Sequence, residues 1–555
     1  MRFSLQYERF GAPQKTLTIH KATVMNKKQK NYIYNILFPA FIYGTITGVL
    51  TAIIIVLYKF CAKHIIHFSE KGYHYVGEHL YLVLVAIPIF IGVAVFLSLI
   101  YKKNSDLKGG GIPSSIGILR GILPFRWIRS LLGTFFLSLT SFLLGVPLGN
   151  EGPSVQIGTA TGKASAEIAG KKHAVWERYL MTGGACAGFS AATGAPVSGV
   201  LFAVEEAHQK ISPMIILVSA ISVMFCRLTT EILAPIFKVS VTLFPNMTLI
   251  ALAPKEFWLP AVIGIAMGLF SVLFLNYFNL LNKFISHTLK KVPYVAKLSA
   301  ILLLTLAMGL ISLDFVSTGH ETILHILTKS KAFHVLILIL IVRSTLTISA
   351  NTSGITGGIF LPTLSIGAVF SAIISKLLIR YCNVPAEYYT TLLVLGITAC
   401  IAGMMKMPLT AIVFAIEALS CYNNVLYVIA VVAITFVVTE IFNTKSTNDS
   451  VLEAKVEAQN EHREHIVIDT FVTVKADSFA IGKQIRDILW PANLFVLSLS
   501  HWKKEAEIDE HGGTALREND VLHIRYLTYD ENETKKQITA IVGEQDYAET
   551  TTEVI

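Results

Sequence analysis

Runs of apolar residues long enough to cross a lipid bilayer recur along this chain, and no other feature narrows its fold as much. Ile36 to Phe60 and Tyr81 to Tyr101 are the clearest; others lie near 127–149, 213–238, 257–281, 297–313, 332–350 and 424–443. A helix needs about 20 such residues to span the hydrocarbon core. Of the 555 residues, 53% are hydrophobic and only 15% charged, too few charges for a soluble chain of this length. The chain therefore reads as a polytopic, predominantly helical membrane protein surrounded by lipid.

Charge sets its expected orientation. Arg2, Arg9, Lys15, Lys21, Lys27, Lys28 and Lys30 precede the first long run, with Glu8 the single acid before Tyr32. That bias places the N-terminus in the cytoplasm, and no leader with a cleavage site opens the chain. The net charge of +9 fits this topology signal rather than nucleic-acid binding, since no basic run is interleaved with aromatics. The six cysteines never approach CxxC spacing, so neither a disulfide frame nor a metal site is expected.

The membrane part is duplicated. Residues 196–205, PVSGVLFAVE, match 408–417, PLTAIVFAIE, and PSVQIG at 153–158 matches PTLSIG at 362–367, with offsets of 212 and 209. Repeated halves with glycine- and proline-interrupted apolar segments point to a transporter whose site lies between them. Whether the halves are inverted does not follow from spacing. Glu151 falls opposite Phe360, so the two copies meet the site with different chemistry.

Three glycine-rich stretches end in proline: GGGIP (109–113), GNEGP (149–153) and GGIFLP (357–362). Proline suits the first turn of a helix, and glycine lets backbone come close to a ligand. Each stretch can start a helix whose free N–H groups and positive dipole end face one point, an anion site without a full positive charge. Single Gly-Pro pairs are usually kinks or loops; three, two of them repeat-related, favour the anion site. Glu151 can then act as a tethered anion that occupies the site until it is displaced or protonated; a surface charge–dipole contact is the blander alternative. Glu205 and Glu206 end the run GVLFAVEE. Helix position alone makes both interfacial; Glu205 keeps that reading because Glu417 repeats it, whereas Glu206 faces Ala418 in the repeat and reads either as a second interfacial acid or as a carrier of protons toward Glu151.

GGGIP, GNEGPSVQIG, GGIFLP and PLTAIVFAIE, in this order, resemble the CLC family of chloride channels and proton-coupled anion exchangers over roughly residues 35–450. The resemblance implies an all-α membrane domain with inverted repeats, a homodimer, and a pore in each subunit. It implies that Glu151 is the external gating glutamate and Glu206 the internal proton glutamate of the exchangers. Gly110, Gly111, Ile112, Asn150, Gly152, Ile359, Phe360 and Asn448 are the implied anion-binding positions. Three of them depart from the usual pattern: Gly110 replaces the serine of GSGIP, Asn150 the arginine of GREGP, and Asn448 the pore tyrosine. Losing two hydroxyls weakens the central site and puts chloride selectivity in question.

After Phe442 the composition changes. The expected organisation is a cytoplasmic segment at 1–34, the membrane domain at 35–450, a charged linker at 451–465, a small soluble α+β domain at 466–545 and a flexible tail at 546–555. In the α+β part, apolar stretches that read as strands flank SFAIGKQIRDIL, which reads as a helix. Residues 466–545 resemble the C-terminal domain of TrkA-type potassium-uptake regulators (RCK-C). Such domains often dimerise, and some bind small ligands such as cyclic dinucleotides. His462 and His465 read as a solvated pair rather than a metal site.

The expected function is a proton-coupled chloride antiporter of the cell membrane, with both termini cytoplasmic, exchanging chloride or another small anion for protons. A passive or weakly coupled chloride channel and a fluoride/proton antiporter are the alternatives. An enzyme is disfavoured because the carboxylates have no partnered nucleophile or metal set, and no cofactor is expected beyond a possible regulatory ligand of the C-terminal domain.

Overall fold

Hydrocarbon offers no partner to a backbone N–H or C=O, so the apolar runs fold as helices that satisfy these groups internally. The computed structural model describes residues 36–109, 111–170, 175–244, 247–328, 331–460, 466–476, 478–501, 504–506, 512–528, 530–545 and 550–554. The basic N-terminal segment, Gly110, His462 and His465 lie outside the described residues. The first half of the membrane domain holds α1 (Phe38–Glu78), α2 (Val83–Lys103), α3 (Ile112–Arg120), α4 (Trp127–Leu143), α5 (Glu151–Ala169), α6 (Trp176–Thr193), α7 (Pro196–Phe202) and α8 (Pro213–Phe237). The second holds α9 (Leu259–Lys283), α10 (Tyr294–Ile311), α11 (His320–Thr328), α12 (Phe333–Thr352), α13 (Phe360–Tyr381), α14 (Tyr389–Met404), α15 (Pro408–Glu417) and α16 (Val425–Ile441). Helix α17 (Thr447–Asn460) leads out of it.

Among the described residues, nine helical stretches are long and apolar enough to span a membrane. Two of them, α13 and the stretch Ala386–Met404 that contains α14, escaped the sequence reading. They are the most enclosed of the nine, and a span walled by protein tolerates the glycines and hydroxyls that interrupt its apolar run. Helix α1 continues well past the apolar run that predicted it. At 1.5 Å per residue its 41 residues measure about 62 Å, roughly twice the hydrocarbon thickness. Its last turns carry Lys63, His64, His67 and Glu70.

The repeats pack head to tail. The Glu205 carboxylate, just beyond α7, accepts from the amides of Leu409 (2.7 Å) and Thr410 (2.6 Å) and from the Thr410 hydroxyl (2.6 Å) at the start of α15. Glu417, at the end of α15, accepts from Val197 N (2.8 Å), Ser198 N (2.9 Å) and Ser198 Oγ (2.9 Å) at the start of α7. Each glutamate thus caps the helix of the other repeat, so Glu205 is more than the interfacial residue expected. Helices α5 and α6 touch through glycine. A Cβ on Gly158 or on Gly184 would lie 2.0 Å from the other's carbonyl oxygen, so only small residues permit this contact.

The C-terminal domain is an antiparallel sheet of β1 (Ile466–Thr473), β2 (Leu494–His501), β3 (Lys504–Ala506), β4 (Val521–Thr528) and β5 (Thr550–Val554). The strand order is β3-β2-β4-β1-β5. Helix α18 (Glu531–Val542) covers it, burying Ile538, Ile541 and Val542 with Ile468, Ile524 and Tyr526. Two expectations change here. SFAIGKQIRDIL forms turns and a short 3-10 turn at Ile485–Asp487 rather than an α-helix. Gly482 takes φ +75°, and the amides of Gly482, Ile485 and Arg486 bond to carbonyls of Leu516, Thr514 and Gly512. Tertiary pairing overrides the local pattern. In the segment expected as a flexible tail, Thr550–Val554 pairs with β1.

The domain grips the membrane part at the start of α6. Arg178 donates to the carbonyls of Leu489 (3.2 Å) and Trp490 (2.7 Å), and Phe479 packs against Trp176 and Tyr179. Lys210 and Ser212 donate to Ile488 O (3.0 Å) and Asp487 O (3.1 Å).

Candidate functional site

The three glycine-proline breaks converge. Gly149 and Gly358 form an isolated antiparallel bridge, with N···O distances of 2.6 and 2.8 Å in the two directions. A Cβ on Gly152 would lie 2.6 Å from Gly358 Cα and 3.2 Å from Gly111 Cα. Gly111 itself has φ +112°, which only glycine adopts readily. The starts of α3, α5 and α13 therefore meet at one place, each with a proline in its first turn. First-turn amides have no partner within their helix, so positive dipole ends gather here, and the Lys455 ammonium donates to Ser114 Oγ in the first turn of α3.

Of the predicted anion-binding residues, Gly111, Ile112, Gly152, Ile359 and Phe360 are brought together here. The Phe360 ring points away from any polar role, meeting Phe189 and Phe414 edge-on at 5.2 and 5.8 Å between centroids. Its contribution is its place at the start of α13. Gln156 was missed by sequence reading. Its Oε1 accepts from Gly111 N at 2.5 Å while its amide donates to Ser130 Oγ at 2.8 Å, fixing the approach to α3. A glutamine in an apolar span was the available signal.

Glu151 is the first residue of α5 and is fully buried. Neither carboxylate oxygen has a hydrogen-bond partner among the described residues. A Cβ on Gly149 would stand 2.5 Å from its Oε2 and 3.1 Å from Leu361 Cβ. The carboxylate thus folds back to the junction of α5 and α13. A buried, unpaired acid is costly, and such a group in a native fold calls for an explanation.

Glu206 sits in a π-helical turn, Ala203–Ala207, that follows α7. It is 3% exposed and accepts from Asn448 Nδ2 at 2.9 Å. Arg120 donates to the backbone carbonyls of Glu206 (2.8 Å) and Ala207 (3.0 Å). The side chain of Asn448, expected on the anion, is spent on Glu206.

The two glutamates lie near opposite ends of α3, whose start meets Gly152 and whose last residue, Arg120, donates to Glu206 O, about 14 Å along its nine residues. Helix α6 starts against the C-terminal domain and ends at Ala191–Thr193, about 27 Å away. Glu206 is four residues from Lys210, which touches the C-terminal domain. Asn150, beside Glu151, lines a cavity of about 510 Å³ together with Ala192 at the far end of α6. Among the described residues, no group of three or more His, Cys, Asp or Glu could hold a metal ion.

The family described as voltage gated chloride channel matches residues 91–440. The chain belongs to this family. Among curated relatives, the H(+)/Cl(-) exchange transporter ClcA of Salmonella schwarzengrund is 28% identical over 408 residues, covering 70% of this chain and 82% of the relative. The protein of the same name from Salmonella arizonae is 28% identical over 400 residues. Among solved structures, a slow cyanobacterial Cl-/H+ antiporter superposes with a TM-score of 0.66 at 25% identity, covering 76% of this chain and 99% of that one. A CLC-type fluoride/proton antiporter shares the fold, with a TM-score of 0.60 at 16% identity over 73% of this chain and 96% of that one. Membership makes the chain a multi-pass membrane protein built on the voltage gated chloride channel fold, and these relatives are named as transporters rather than enzymes.

Proposed function

We propose that this protein exchanges chloride for protons across the membrane. The carrying observation is the pair of buried carboxylates: Glu151, unpaired where three helix starts meet, and Glu206, held by Asn448 near the far end of α3. An anion entering the junction competes with the Glu151 carboxylate for the same peptide dipoles. Protonation removes that competitor, so Glu151 swings out with its proton as the anion enters. The proton then passes toward Glu206 and the C-terminal domain. The names of the relatives support this reading. Both termini are cytoplasmic, the assembly is a homodimer, and the C-terminal domain, similar to RCK-C domains, acts in dimerisation or regulation by a small ligand.

The test is reconstitution in liposomes under a chloride gradient, with the membrane potential clamped and pH recorded. Uphill proton movement in the parent protein, absent in Glu151→Ala, is expected. Chloride flux without proton movement would overturn the exchange and leave an anion channel. Fluoride flux without chloride flux would change the substrate.

A further inference from the structure

The cavity beside Glu151 is charged in a way the exchange cycle does not use. Its wall carries Asn150 and Leu361, the residues flanking the Glu151 carboxylate, together with Lys59 from the middle of α1. An ionisable side chain inside a membrane span is costly and is retained for function by default. The Lys59 ammonium is fixed by two backbone carbonyls, Ala191 O at 3.1 Å and Ser240 O at 2.8 Å. An ammonium has three N–H donors, and the third has no partner among the described residues. His320 lines the same cavity. Its Nε2 faces the Leu243 carbonyl at 2.8 Å and its Nδ1 lies 3.4 Å from Glu321 Oε1. A carbonyl accepts only from N–H, and the carboxylate draws a proton to the other nitrogen, so this environment favours an imidazolium. The ring stacks on Phe244, which holds it in place. Lys63, His64 and His67 add further basic groups to the rim, against Glu70 and Glu321.

We propose that Lys59 and His320 form an anion-loading site outside Glu151, where a small monovalent anion is held by the free ammonium N–H until the carboxylate yields its place. This rests on the reading of the chain as an anion transporter, but not on proton coupling. The site collects the anion electrostatically and delivers it to dipoles that lack a full charge. Lys59 binds the transported ion without taking part in proton transfer, so its loss acts on affinity rather than on turnover.

The experiment measures chloride dependence of flux in liposomes for the parent protein, Lys59→Gln, Lys59→Arg and His320→Gln. Lys59→Gln should raise the KM for chloride about tenfold, the size of one charge-assisted hydrogen bond, with kcat and the proton-to-chloride ratio unchanged. Lys59→Arg should restore the parent KM, and His320→Gln should shift it in the same direction as Lys59→Gln. A KM unchanged in Lys59→Gln overturns the site; so does a joint fall of kcat and affinity that arginine does not rescue, since that marks a purely structural lysine. Should Lys59→Gln fail to assemble, Lys63→Glu at the exposed rim supplies the reading. It should raise KM at low ionic strength and lose that effect in about 1 M of an impermeant salt, where charges are screened within about 3 Å. An unchanged KM at low salt overturns the site. Chloride flux with no proton movement would sink the exchanger reading while leaving the KM comparison intact.

Discussion

Replacing Asn448 with leucine separates two roles for that residue. The family resemblance places it on the anion, whereas its Nδ2 lies 2.9 Å from Glu206 Oε1, with both residues at most 3% exposed. No other hydrogen bond reaches that carboxylate among the described residues. Leucine keeps nearly the same volume and deletes the donor. A hydrogen bond to a charged group contributes about 1.5–3 kcal/mol, and leaving its buried partner unmade costs a similar amount. That corresponds to about ten- to a hundredfold in the population of the carboxylate in its working position. Parallel recording of chloride and pH from the same liposomes gives both fluxes. Proton flux should fall at least about tenfold while chloride flux stays within about twofold. Asn448→Asp, which keeps the size but replaces the donor with an acceptor, should fare no better than leucine. Two fluxes falling in strict proportion would refute the reasoning and return Asn448 to the anion path. Two unchanged fluxes would show that the hydrogen bond has no part in transport.

Three further outcomes follow from the packing. Gly358→Ala would put a Cβ 2.6 Å from Gly152 N and 3.1 Å from Gly149 O; backbone cannot step aside as a side-chain tip can, so the bridge should open at a cost of about 1–3 kcal/mol. Flux should drop and the melting temperature fall, and parent-like flux would show that the junction tolerates separation. Glu205→Gln and Glu417→Gln should each destabilise by about 2 kcal/mol in detergent unfolding, because an amide has one acceptor where a carboxylate has two. The double variant should show the sum, since the caps sit at opposite ends of α15, about 15 Å apart; a marked departure from additivity would deny two independent caps. In the C-terminal domain, burial works against the Asp469 charge, but hydrogen bonds from Arg525 and His523 hold its carboxyl below the ordinary value of 3.8. A depressed acid stabilises the fold above that value and ceases to do so as pH falls below it. Hydrogen exchange of the β1 and β4 amides in the full-length protein should therefore accelerate below about pH 4 once intrinsic rates are removed, and Asp469→Asn should flatten that profile. A variant as pH-sensitive as the parent would exclude Asp469 as the cause.

What could be read from the sequence was local in origin. GGGIP, GNEGP and GGIFLP announce their helix starts because a glycine that must admit another backbone and a proline that needs a first turn are each constrained by near neighbours. Glu151 stood out for the same reason. The residues that escaped act over long separations. Lys59 bonds carbonyls 132 and 181 positions away, and Gln156 bonds an amide 45 positions away; neither contact leaves a pattern along the chain. Glu205 and Glu417 were visible as repeat partners, but their exchange of caps exists only once the halves lie head to tail. SFAIGKQIRDIL carries a helical pattern that pairing with Gly512–Leu516 overrides, and ENETKKQITAIV, the helix the domain does contain, lacks a strong apolar stripe to announce it.

Absent side chains and present ones together locate the burden of anion binding. Gly110 has no hydroxyl to give, and the amide of Asn448 is committed to Glu206. The proposed exchanger then has no side-chain hydroxyl at either position where its family places one. What remains at the junction is mostly backbone, the first-turn amides of α3, α5 and α13 held together by Gly111, Gly152 and Gly358, with the Ser114 hydroxyl of α3 taken up by the Lys455 ammonium. Dipoles of this kind attract any small anion and grade it mainly by how closely it can approach. The spacing of the three helix starts therefore becomes the selectivity element. An alanine at 358 changes that spacing without adding or removing a charge, and its effect on the ratio of chloride to fluoride flux should exceed its effect on proton coupling. A shift in coupling with the anion ratio intact would place selectivity elsewhere in the pore.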